Sequence, residues 1–125
     1  MHVRNWILSV ALTLLMSLSS WADLVEVKKP DVDVKSLIVS GKENVVVFHH
    51  KPTYLSHQLY NSLVSFSKKN PGLPILVLEV ANNKSPLVKK YSIRHFPHVQ
   101  IYNKDGSIKE EGAPAYQTLT QMIDH

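Results

Sequence analysis

No cysteine occurs anywhere in the 125 residues. Without a thiolate there is no thiol–disulfide exchange. No disulfide can staple the chain either, so its stability rests on packing and backbone hydrogen bonds. Glycine is scarce, at four residues, and none lies in a Gly-rich loop of the kind that cradles phosphate. No Ser-His-Asp context and no paired-carboxylate motif is present, which leaves hydrolase and peroxidase readings without support. The fourteen basic residues are scattered, six of them as the pairs Lys28-Lys29, Lys68-Lys69 and Lys89-Lys90. These pairs read as solvated surface. No aromatic-interleaved basic patch argues for a nucleic-acid partner.

The N-terminus has the three-part layout of a secretory signal peptide. Arg4 is its one basic side chain, Trp6 to Leu18 is apolar, and Ser19-Ser20-Trp21-Ala22 supplies small residues before a cut between Ala22 and Asp23. The apolar run is short of the ~20 residues of a spanning helix. No cysteine follows it to carry a lipid, so no stable membrane anchor is expected after cleavage. Residues 1–22 are thus expected to be a cleaved signal peptide and residues 23–125 a single domain. The compact leader with its Ser-Trp-Ala end suits bacterial export, which makes the expected location periplasmic or secreted. All ten acids lie beyond the leader, and the exported part keeps a net positive charge.

Hydrophobic patterning predicts alternating strands and helices. Leu24 to Val27 is a short strand. Asp31 or Asp33 is placed to cap a helix with Val34, Leu37 and Ile38 on its apolar face, ended by Gly41. Asn44 to His50 is a continuous apolar run, the mark of a strand buried on both faces. Pro52 and Thr53 open a helix whose stripe is Leu55, Leu59, Leu63 and Phe66, stopped by Asn70-Pro71-Gly72. Pro74 to Val80 is a second buried strand and Pro86 to Tyr91 a short helix. His98 to Tyr102 and Ile108 to Glu111 flank the hairpin signal Asn103-Lys104-Asp105-Gly106. Thr118 to Asp124 closes the chain as a helix. The expected class is α/β: parallel strands joined by crossovers, an antiparallel C-terminal hairpin, and helices on both faces of one mixed sheet.

Several segments carry a resemblance to one family. Val45 to Leu63 resembles the strand–motif–helix segment of the thioredoxins without a gap, with Phe48 on the family's strand phenylalanine. Tyr91-Ser92-Ile93-Arg94-His95-Phe96-Pro97 is similar to its Tyr-Gly-Ile/Val-Arg-Gly/Ser-x-Pro stretch. Asn103 to Gly106 resembles its hairpin, and Gly112-Ala113 falls on its Gly-Ala. The resemblance covers Leu24 to the C-terminus and implies a thioredoxin-like fold with a cis bond before Pro97 and Phe96 presenting its backbone to a partner chain.

The departures are functional. Thr53 and Ser56 stand where the family has its nucleophilic and resolving cysteines, with Tyr54-Leu55 between them. Pro52 and His49 replace two tryptophans, and Val47 replaces the buried aspartate that assists proton transfer. A hydroxyl cannot stand in for a thiol of pKa about 8.5, so no thiol–disulfide oxidoreductase activity is expected. The Thr53 and Ser56 hydroxyls are expected to cap the first turn of the helix.

Seven histidines is a high count. By the resemblance, His49, His50, His57 and His95 lie around the former redox site. His49, His57 and His95 are candidate ligands for Zn²⁺ or Cu²⁺. Adjacent His49 and His50 point to opposite faces of a strand, so both cannot serve one site. No acid neighbours these histidines in sequence, and the plainer expectation is a partly exposed binding surface, with a pH-responsive surface as a further option. The resulting expectation is a redox-inactive, exported, protein-binding or chaperone-like module without a catalytic residue. Its groove would comprise Thr53, Tyr54, Leu55, Ser56, Phe96, Pro97 and Ala113, and its partner would be a protein or peptide. A histidine-based metal protein and a structural subunit of an envelope complex are the alternatives.

Overall fold

The computed structural model describes residues 23–125, and the expected signal peptide lies outside them. The strands are β1 (Leu24–Val27), β2 (Asn44–His49), β3 (Ile75–Glu79), β4 (His98–Tyr102) and β5 (Ile108–Glu111). The helices are α1 (Tyr54–Lys69), α2 (Pro86–Lys90) and α3 (Ala113–Asp124), and a 3-10 turn covers Val34–Ser36. The strands form one sheet in the order β1-β3-β2-β4-β5. β3 is parallel to β1 and β2, while β4 is antiparallel to both β2 and β5.

β2 lies at the centre and all its residues are buried. Its side chains alternate between two cores, as strand geometry requires. Val45 and Val47 face the layer of α1 and α3, packing with Leu59, Leu63 and Leu119. Val46 and Phe48 face the opposite layer with Val34, Leu87 and Ile93. Leu63 and Leu119 are fully buried, each worth about 1.5–3 kcal/mol of transfer free energy. The polar side chain at the start of the strand is satisfied. Asn44 donates to the Val39 and Lys42 carbonyls and accepts from the Val39 amide, which closes the preceding loop.

Three expectations are corrected. The helix expected around Val34, Leu37 and Ile38 is a single 3-10 turn. Only Val34 is buried there and Leu37 is exposed, so too little packing is available to offset the cost of nucleating a longer helix. The closing helix starts at Ala113 rather than Thr118. Gly112 is its N-cap at φ 76°, and Pro114 is tolerated because the first turn has no N–H partner to lose. Finally, the antiparallel part of the sheet includes β4 as well as the hairpin return. The chain therefore re-enters the sheet from the end where β3 finished.

Candidate functional site

β2 delivers His49 and His50 to the start of α1. Thr53 takes the N-cap position with extended backbone, yet its hydroxyl makes no cap bond. It lies 2.7 Å from Nδ1 of His50. The Ser56 hydroxyl, fully buried, lies 3.1 Å from Nδ1 of His49 and accepts from the His50 amide at 2.9 Å. Capping by these two hydroxyls is thus corrected. Each imidazole offers a nearby partner in a better position than the helix amides, and the hydroxyls tie the strand end to the helix start instead.

The two rings diverge, as adjacent strand side chains do. His49 stacks on Tyr60 of α1, with ring centroids 5.1 Å apart. His50 stacks on Phe96, at 5.0 Å. Burial holds the His49 pKa below its usual value; Glu79 and Glu26 pull it back up without cancelling the effect. The His49 ring is therefore neutral near pH 7. The Tyr60 hydroxyl bonds Glu26, which fixes the ring that covers His49.

The candidate metal ligands do not converge. His49 is buried under Tyr60, while His57 and His95 are exposed on different segments. Among the described residues, no three His, Asp or Glu side chains are grouped to hold a metal ion. His98 is engaged elsewhere. Its Nε2 lies 3.0 Å from Glu111, whose same oxygen accepts from the Gln100 amide at 2.8 Å. Burial works to raise the Glu111 pKa, but the Gln100 and His98 contacts outweigh it and hold the carboxyl below its usual range. Glu110 accepts from the Thr118 hydroxyl. Both carboxylates of the adjacent pair Glu110-Glu111 are thus anchored, and the link is spatial, across the β4–β5 ladder and onto α3. The chain of contacts ends at Tyr102, which donates to Gln100 and whose own pKa burial raises to about 12.

The Phe96–Pro97 peptide bond is cis. Beside it opens an apolar hollow of about 360 Å³, lined by Leu55, Phe96, Pro97, Ala113 and Tyr116 with Arg94 among its polar residues. Of the expected groove residues, Leu55, Phe96, Pro97 and Ala113 line it. Tyr54 stands beside it, 71% exposed. Ser56 lies beneath the surface and Thr53 is turned to His50, so neither lines the hollow. Among the described residues, neither the N–H nor the C=O of Phe96 has a backbone partner. His95, expected around the former redox site, is in the lining, while Tyr116, Arg94 and His98 are lining residues that the expected groove did not include. Tyr116 falls in the part of α3 that precedes Thr118. Tyr116 does sit three residues before Leu119, so extending the helical stripe backwards was the signal that would have found it. A larger hollow of about 690 Å³ lies between the C-terminal ends of α1 and α3, lined by residues such as Asn61, Ser65 and Lys69. None of the expected site residues lies in it.

No family model and no curated protein matches the sequence. Solved structures do resemble it. Thioredoxin f from spinach chloroplast (long form) is 18% identical, with 85% of this chain and 88% of that one covered, at a TM-score of 0.60. Mitochondrial thioredoxin 3 from Saccharomyces cerevisiae, in its oxidised form, is 16% identical over 85% of this chain and 99% of that one, at 0.59. Reduced Schistosoma mansoni thioredoxin is 20% identical over 81% of this chain and 96% of that one, at 0.60. At such identities the likeness speaks for the fold: the chain has a thioredoxin-like fold and carries no Cys-x-x-Cys motif.

Proposed function

We propose that this chain is an exported, non-redox protein-binding module that holds an extended segment of a partner in the hollow beside Pro97. The observation that carries the reading is the Phe96 backbone, without a backbone partner among the described residues, at the edge of an apolar hollow. A partner strand laid there would gain main-chain hydrogen bonds and bury apolar side chains, which is β-augmentation. The exposed Tyr54 and Leu55 extend the apolar surface. Nothing in the reading needs a nucleophile, in keeping with the loss of both cysteine positions.

The test uses immobilised protein and an envelope extract. Tyr54→Asp and Phe96→Asp are expected to lose the captured partners while keeping the wild-type circular dichroism spectrum. Capture of the same proteins by both variants would show that binding uses another face. Export has its own check: the protein recovered from the exported fraction should begin at Asp23 on N-terminal sequencing.

A further inference from the structure

The hollow carries charge of one sign. Its lining includes Arg94, His95 and His98 but no aspartate or glutamate. Arg94 is exposed, and among the described residues no acid pairs with it. His95 is exposed and equally unpaired, whereas His98 is committed to Glu111. Four lysines do meet acids, Lys90 with Asp31, Lys109 with Glu43, and Lys28 and Lys51 with Glu79, while other lysines such as Lys29, Lys84 and Lys104 have no acid partner among the described residues; what sets Arg94 apart is its place in the lining of the apolar hollow. Among the described residues, the cation at the hollow thus has no acid partner and lies next to apolar walls and to the Phe96 backbone groups.

Resting on the protein-binding reading, we infer that the partner segment is acidic: an extended stretch with an apolar side chain for the hollow and Asp or Glu flanking it, facing Arg94. Charge complementarity at an exposed rim sets specificity and association rate more than total affinity. The backbone of Phe96 and the apolar walls supply the shared part of the binding, and Arg94 supplies the discrimination. A basic segment of the same shape would face Arg94 with no acid among the lining side chains.

The inference is tested by fluorescence polarisation with three short acetylated peptides of common Leu-Val centre, flanked by Glu, by Gln or by Lys. The Glu peptide is expected to bind about fivefold more tightly than the Gln peptide at low salt, the scale of one exposed ion pair, and the Lys peptide weakest. Raising ionic strength should narrow the spread. Arg94→Glu, at an exposed position, should reverse the order of the Glu and Lys peptides. If all three peptides bind alike, or if Arg94→Glu leaves their order unchanged, the acidic specificity is wrong while the groove stands. If no peptide binds, or if Ala113→Arg, which obstructs the hollow, leaves every affinity unchanged, the groove reading itself fails.

Discussion

Ser56 Oγ lies 3.1 Å from Nδ1 of His49, in a spot sealed from solvent. The same oxygen accepts the His50 amide. Ser56 donates to Nδ1 when the His49 proton sits on Nε2, and accepts from Nδ1–H in the other tautomer. Where the redox proteins of this fold resolve a mixed disulfide, this chain holds a strand end in place.

Ser56→Ala should therefore destabilise the fold without altering its backbone. The half-buried His50 amide and the buried His49 Nδ1 lose their partner together. A buried polar group left unpaired costs about 1–3 kcal/mol. Urea unfolding should show a lower midpoint with an unchanged m-value. A midpoint equal to wild type would mean that the hydroxyl contributes nothing.

His49 also sets a pH dependence of stability. Its pKa in the fold is lowered from 6.5, chiefly by burial. In the unfolded chain it takes up a proton near its ordinary value, while the folded ring resists until lower pH. Just below pH 6.5 the unfolded state binds more protons, so stability falls as pH falls. Above that both states are neutral at this position and its contribution is flat. The urea midpoint should be lower at about pH 5.5 than at about pH 7.5, and His49→Phe should flatten the difference. An identical pH profile in the variant would assign the effect to other groups.

Ser92 is the one non-glycine residue of the described chain with positive φ, at 52°. The family resembled here has glycine at this point. A side chain in the left-handed region costs about 1–2 kcal/mol, and glycine returns part of that gain through its freer unfolded state. Ser92→Gly is expected to raise stability by about 0.5–1 kcal/mol. Thermal unfolding measures it, and a fall in melting temperature would refute the strain.

The sheet and α1 were legible in sequence because their signals are local and redundant. Val45 to Phe48 is an unbroken apolar run, and Leu59, Leu63 and Phe66 keep helical spacing up to a Pro-Gly stop. The 3-10 turn at Val34 was misread because Leu37 and Ile38 have helical spacing but only weak burial. Periodicity alone does not say whether a face finds a partner. The polar side of the site was less legible still. The Thr53 and Ser56 hydroxyls sit where helix caps are common, and local chemistry favours that role. What diverts them is the approach of two imidazoles from the end of β2, a tertiary fact. The Glu111 to His98 contact, likewise, depends on strand register rather than on neighbours in sequence.

Thr53→Cys would show how much of the old site survives in the backbone. The new thiol would occupy the N-cap of α1, whose first-turn amides receive no side-chain cap bond. The Thr53 hydroxyl that it replaces lies 2.7 Å from His50 Nδ1. A helix N-terminus and a neighbouring imidazole both favour a thiolate, and in such settings a cysteine titrates at about 3.5–7.5 instead of about 8.5. Thiolate absorbance against pH should therefore give a pKa below 8, and His50→Ala in the same background should move it back upward. With Ser56 retained there is no second sulfur, so the variant should alkylate readily yet still fail to reduce a disulfide catalytically. An ordinary cysteine pKa would mean that the helix start and the His50 imidazole do not favour a thiolate at this position.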